Sequence, residues 1–381
     1  MSLFVAAIGL ALAAILLFCY IVMLTHEIGH AIGAMVSGLF VERVAIGSMG
    51  NPWRFHIYGT EVLFSLGLST GSWNSGYKRE KIKWQRYVMI LCGPLANIFF
   101  ASIILLIFLQ YRIGMAHKYE YYAWLFIIFA NVITGIEALI PRYINIPAMG
   151  GINESDGLRL WRIHSYTEAE MQDILASAHI YAATRKIESS DYAQAIMICE
   201  KAASDYPMSN FLANCLSVAH MYLGNLSNAA KALEPFVDKQ MNPLFAYLIH
   251  FNLAMGLLLE GSEQGILKAI NYSRVTKKTF FNERKVGEAL LAAIDVESGN
   301  YDQGVTVLEK YVQKEKPPDR RRNTIFIIMY LAYGYYLQGK YPEARKLASM
   351  AQSSELAEEP LNHALIERIR RTTVDFKTPA N

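Results

Sequence analysis

The chain has 381 residues, room for two or three ordinary domains, and 53% of them are hydrophobic against 18% charged. A formal net charge of only +3, with no basic run interleaved with aromatics, argues against a nucleic-acid partner. The four cysteines, Cys19, Cys92, Cys199 and Cys215, form no CxxC pair, so they read as small apolar packing in a reducing compartment rather than as a disulfide framework.

No charged residue occurs from Leu3 to Leu24, from Tyr87 to Tyr111 or from Tyr121 to Ile136. At ~1.5 Å rise per residue each run is about long enough to cross a hydrocarbon core, so spans are expected at about 3–25, 87–110 and 121–140. The first lacks a basic leading region and a small-residue cleavage site, and reads as a retained helix. It ends on "HEIGH" (His26 to His30). Residues four apart share a helix face, so His26 and His30 can offer two imidazole nitrogens to one zinc ion with Glu27 beside them. A carboxylate costs about 2.5–3.5 kcal/mol near the centre of a membrane helix, less toward its end. Interfacial histidines with a snorkelling glutamate are the alternative; Gly29, Gly33 and Ala34, which keep the helix slim for close packing, favour the metal.

Residues 40–76 change texture. Short β-branched and aromatic runs broken by "MGNP", "YGT" and "STGSWNSG" read as three or four strands, a small sheet at the membrane face. Between Phe40 and Arg86 lie Arg43, Arg54, Lys78, Arg79, Lys81, Lys83 and Arg86, whereas the connector after the second span holds only Arg112 and Lys118. The first loop is therefore expected in the cytoplasm, and three crossings leave the tail there too.

The second span carries "GPLANI" (Gly93 to Ile98). Pro94 removes one helical hydrogen bond and Gly93 permits close approach, so a kink is the least reading, and Asn97 alone reads as a helix-packing amide. Glu137 near the end of the third span is either a snorkelling or paired carboxylate or a partner for a histidine. A catalytic zinc wants three protein ligands and an open position; the candidates for the third are Glu137, His56, Glu61, Asp156 and His164, with Glu154 close to Asp156.

After residue 165 the pattern becomes repetitive. "SSDYAQA", "LGNLSNAAKAL", "EGSEQGILKAI", "SGNYDQGVTVL" and "QGKYPEARKLA" each place small or polar residues before a helix start. With Ser190, Gly224, Gly261, Gly299 and Gly339 as markers the intervals are 34, 37, 38 and 40 residues, each marker lying between two helical periods. This resembles the tetratricopeptide repeat in degenerate form; a generic array of helical hairpins is the alternative. Either way amphipathic hairpins bury their faces only by stacking, which leaves an extended surface suited to binding a protein partner.

"HEIGH", "GPLANI" and "SDG" (Ser155 to Gly157), in that order and at those membrane positions, make residues 1–165 resemble a site-2 protease, an intramembrane zinc metalloprotease. The resemblance implies a zinc cofactor held by His26, His30 and Asp156, Glu27 as the catalytic base, and Asn97 holding substrate or the oxyanion. It also implies a sheet that receives an extended substrate by β-addition; a cover over the site is the other use for those strands. One departure stands out. The family's Asn-x-x-Pro element precedes its aspartate at short, fixed distance, whereas here Asn145 and Pro147 are two apart and eight residues separate Pro147 from Asp156.

The expectation is thus a mainly α protein. A three-span transmembrane metalloprotease domain (1–165) with a small β-sheet insertion precedes an α-solenoid of tetratricopeptide-like hairpins (166–381). It sits in a bacterial cytoplasmic membrane with the repeats in the cytoplasm and cleaves a membrane protein substrate in regulated intramembrane proteolysis. The rival is an inactive membrane receptor or scaffold using the repeats for binding; the intact Glu27 counts against it.

Overall fold

The structure, a computed structural model, describes residues 2–47, 49–66, 70–111, 118–146, 151–237, 243–277, 285–314 and 324–373. The chain divides into two compact units, Met1–Tyr181 and Ala182–Asn381. The first is built on α1 (Ser2–Val36), α2 (Ile82–Tyr111) and α3 (Lys118–Ala138), each with a stretch long and apolar enough to cross a membrane: Ile15–Val36, Ile82–Gln110 and Tyr121–Ala138. The first stretch runs further along the chain than the expected 3–25. Ile28, Ile32, Met35 and Val36 keep the outer face of α1 apolar to its end. "HEIGH" therefore lies inside a span, and the helix from His26 to Val36 rises about 15 Å.

The helices approach closely because small residues line the contact. A β-carbon on Gly29 would lie 2.3 Å from the Cys92 carbonyl oxygen and 2.6 Å from the Ala96 β-carbon, so the two backbones could not meet this way with any side chain there.

Between α1 and α2 the expected strands are β1 (Phe40–Ile46), β2 (Met49–Ile57), β3 (Thr60–Leu66) and β4 (Thr70–Ser75), in the spatial order β2-β3-β1-β4. β1 and β3 run parallel, with Arg43 opposite Glu61 and Ile46 opposite Phe64; β2/β3 and β1/β4 are antiparallel. The outer strands are β2 and β4. After α3 the chain forms a short antiparallel hairpin, β5 (Tyr143–Ile146) and β6 (Gly151–Glu154), then α4 (Asp156–Arg162) and α5 (Glu168–Leu175). Thr167 and Glu170 cap α5 reciprocally, satisfying donors that its first turn would leave orphaned. Pro147 and Arg112 lie outside the described residues.

The first unit extends past residue 165. The Trp73 indole N–H donates to the Ser177 carbonyl (3.1 Å), and the Tyr181 hydroxyl donates to Glu61 (3.2 Å), so residues up to Tyr181 pack with the sheet.

Beyond Tyr181 the described residues form helical hairpins: α6/α7 (Ser177–Glu188, Tyr192–Ala203), α8/α9 (Asn210–Tyr222, Leu226–Leu233), α10/α11 (Pro243–Glu260, Glu263–Lys277), α12/α13 (Lys285–Glu297, Tyr301–Lys314) and α14/α15 (Thr324–Leu337, Tyr341–Gln352). α16 (Pro360–Thr372) follows. The five markers read from sequence are the turn residues, and all five are left-handed: Ser190 (φ 61°), Gly224 (75°), Gly261 (72°), Gly299 (86°) and Gly339 (77°). At four of them the next N–H reaches back five residues, as in Asn225 to His220 (2.9 Å) and Lys340 to Tyr335 (2.9 Å), which closes the preceding helix in a Schellman turn. Leu253, Leu258, Leu290, Leu308, Ile325 and Met329 from successive hairpins are at most 1% exposed and form one continuous core. This is an α-solenoid, in which each hairpin buries its face on its neighbours.

Candidate active site

α1 brings His26 and His30 to one face, one turn apart, with their rings edge to face at 4.6 Å between centroids. Their Nε2 atoms are 3.0 Å apart. Asp156, the first residue of α4, places Oδ2 3.0 Å from His26 Nε2 and 3.3 Å from His30 Nε2. Two imidazole nitrogens and a carboxylate oxygen thus form a nearly equilateral triangle. Donors of a four-coordinate zinc, each ~2.0–2.1 Å from the metal, stand roughly 3.3 Å from one another, so this donor set fits a single ion in both chemistry and spacing. Without a shared proton or cation, two nitrogen lone pairs and a carboxylate at these distances would repel. Glu27 lies beside them, its carboxylate within 4.8 Å of both histidine ligand atoms; it is 3% exposed, and its Oε2 has no hydrogen-bond partner among the described residues.

Each imidazole is held from behind. His30 Nδ1 faces the Met89 carbonyl at 2.9 Å, and His26 Nδ1 faces Asn97 Oδ1 at 2.8 Å. Because the carbonyl oxygens can only accept, both Nδ1 atoms carry the proton and both Nε2 lone pairs point into the triangle. Gly93 makes room for this: a β-carbon there would fall 2.4 Å from His30 Nε2.

Asp156 is delivered by an equally specific arrangement. Ser155 caps α4 by accepting from the Leu158 N–H (3.2 Å), and its hydroxyl donates to the Ile140 carbonyl (2.7 Å). A β-carbon on Gly157 would lie 2.0 Å from the Leu139 carbonyl oxygen, so the glycine of "SDG" lets α4 press against the end of α3. Arg159 stands 4.0 Å from the other carboxylate oxygen and favours the ionised form that a metal ligand must take.

The other candidates are elsewhere. Glu137 is about half exposed and pairs with Arg142, as the paired-carboxylate reading has it, while the Asn97 oxygen and the Met89 carbonyl stand behind the histidines. Glu154 pairs with Arg162, and Glu61 is locked in the sheet by Arg43 at 2.6 Å. His56 and His164 are exposed. Asn97 is fully buried, and its amide nitrogen donates to the Val22 carbonyl (3.0 Å) and to Asn131 Oδ1 (2.9 Å), so both hydrogens are engaged between helices while its oxygen faces His26. Sequence reasoning missed the Met89 carbonyl, which no side-chain motif reveals, and Asn131, the one amide in the third span, which could have been noticed.

An HExxH helix among three membrane-crossing helices, with a carboxylate brought to both histidines from a separate element, defines an intramembrane metalloprotease. The sequence matches the model of peptidase family M50, the site-2 proteases, over residues 13–319, and the chain belongs to that family. No curated protein matches it significantly. A solved structure with some likeness is the P58(IPK) TPR domain, at 12% identity over 77% of this chain and 94% of that one, with a TM-score of 0.21. So loose a likeness carries no weight, and the repeat assignment stands on the hairpins and their left-handed turns.

Proposed function

We propose that the chain is a zinc-dependent intramembrane endopeptidase that cuts a membrane-embedded protein, with the repeat unit recruiting that substrate or a regulator. The observation that carries this reading is the triangle of His26 Nε2, His30 Nε2 and Asp156 Oδ2, with edges of 3.0, 3.0 and 3.3 Å, beside the buried Glu27 carboxylate. His26, His30 and Asp156 would hold the ion. When bound, zinc supplies Lewis acidity that polarises a peptide carbonyl and makes water a better acid. Glu27 then acts as general base, taking the proton from the attacking water and passing it to the leaving amine. Asn97 and the Met89 carbonyl hold the imidazoles in the required tautomer and orientation. The outer strands β2 and β4 offer edges on which a substrate, unwound from helix to expose its carbonyls, can lie extended.

The basic residues between Phe40 and Arg86 support a cytoplasmic side for that loop and, after three crossings, for the repeats; our reading is a bacterial cytoplasmic membrane and regulated intramembrane proteolysis. Residues 1–165 carry the chemistry and 166–381 the recognition. Glu27→Gln tests the chemistry: shape and zinc binding are kept while the base is lost. Cleavage of single-span reporter substrates should fall by at least ~10² with zinc content unchanged. Near-normal cleavage by this variant would falsify the protease reading.

A further inference from the structure

Asn131 of α3 is a fully buried amide inside a membrane-crossing stretch. Its Oδ1 accepts from Asn97 Nδ2 (2.9 Å), and its own Nδ2 donates to the Ile127 carbonyl one turn earlier (3.0 Å). A lone amide in hydrocarbon is costly, and one whose groups meet a second amide from another helix is a packed network rather than a surface accident. The network has a direction. The Ile127 carbonyl can only accept, so Asn131 turns its NH2 toward it and its oxygen toward α2. Asn97 then faces two acceptors, Asn131 Oδ1 and the Val22 carbonyl, and must spend both amide hydrogens on them. Only its oxygen remains for His26, 2.8 Å from Nδ1.

An imidazole facing an acceptor at Nδ1 carries its proton there. Were Asn97 reversed, its NH2 would face Nδ1, the His26 proton would move to Nε2, and that nitrogen would point an N–H at His30 Nε2 and Asp156, both ligand positions.

We infer that Asn131 is a positioning residue: through the orientation of Asn97 it fixes the His26 tautomer that leaves Nε2 free to bind the metal. The inference rests on the metalloprotease reading above. α3, which contributes no donor to the triangle, is thereby made part of the metal site.

The test measures zinc affinity of the purified full-length chain by competition with a chelator, in Asn131→Leu, Asn131→Asp, Asn97→Ala and the double variant Asn97→Ala/Asn131→Leu. Asn131→Leu keeps the volume and removes the acceptor; affinity should fall by ~10- to 100-fold, as for loss of a partner behind a ligating histidine. Asn131→Asp, which still offers Asn97 an acceptor oxygen, should retain most of it. In the Asn97→Ala background Asn131→Leu should cost less than ~2-fold, because the relay it acts through is gone. Should Asn131→Leu fail to give monodisperse protein, Asn131→Ala is read in the same cycle. Two outcomes overturn the inference: wild-type affinity in Asn131→Leu, or additive losses in the double variant, which would make Asn131 a packing residue of α3. The metal reading fails separately, if wild-type chain binds no stoichiometric zinc or His26→Ala binds as well as wild type.

Discussion

Gly93→Ala isolates the geometry of the metal site from its chemistry, since no ligand and no titrating group is changed. A β-carbon at this position would stand 2.3 Å from His30 Cε1, 2.4 Å from Nε2 and 2.8 Å from Nδ1, along one edge of the imidazole. Ordinary carbon contacts begin near ~3.5 Å, so the ring must retreat by about 1 Å or α2 must move off α1 by as much. The second route is closed. Gly29 already brings the two backbones together at Cys92, directly before Gly93, and the Met89 carbonyl holding His30 lies on the same helix. If the ring moves, its 2.9 Å contact with Met89 and its 3.3 Å approach to Asp156 both open by a large fraction of an ångström, beyond what a fixed coordination shell tolerates. Misplacement on this scale typically costs ~10²-fold, so zinc affinity and cleavage should both fall by at least that much while the protein still inserts and purifies. Gly9→Ala, where a β-carbon meets nothing within 4 Å among the described residues, is the control and should match wild type in both assays. Zinc affinity of Gly93→Ala within ~3-fold of wild type would refute the claim that the glycine of "GPLANI" exists to seat His30.

Two further outcomes follow. Asp156→Ala should lose stoichiometric zinc, whereas Glu137→Ala and Glu154→Ala, which release only Arg142 and Arg162 from ion pairs, should retain it; full occupancy in Asp156→Ala would move the third ligand elsewhere. Cysteines introduced at exposed Glu80 and at exposed Glu343 on α15 should be labelled together from the cytoplasm and one at Lys118 from the opposite face; any other pattern breaks the positive-inside assignment.

What the sequence disclosed, and what it withheld, follows from range. The helix-borne pair of histidines was legible because its spacing is local, and so were the repeat turns, since a left-handed residue between two apolar periods almost demands glycine. Which of the readings open for Asn97 and for Glu137 would hold was not. Each sits in an apolar span with a polar group to satisfy, and its partner is set by how helices rotate against one another. That rotation puts Asn97 against Val22, His26 and Asn131 while turning Glu137 out to Arg142. The packing of residues up to Tyr181 on the sheet was not legible for a similar reason: Trp73 and Tyr181 are about a hundred residues apart, and only the folded chain brings them together.

The irregular spacing before Asp156 shows how a departure in sequence can be absorbed in space. Counted along the chain, the stretch from α3 to Asp156 looks too long to bring a ligand back to the histidines. The extra residues pair with themselves instead. β5 and β6 align Tyr143 with Glu154 and Ile146 with Gly151, so the segment leaves and returns to the same place. At its base the Ser155 N–H donates to the Arg142 carbonyl (2.9 Å) and the Arg142 N–H to the Ser155 hydroxyl (3.0 Å), joining residues thirteen apart as though they were neighbours. Ser155 then reaches the Ile140 carbonyl, and Gly157 lies on Leu139. The position of Asp156 is therefore set by the end of α3 rather than by the length of the insertion. A hairpin closed at its base is neutral to the site it interrupts, which is why the aspartate meets His26 and His30 despite a spacing that, read as a string, points away from them.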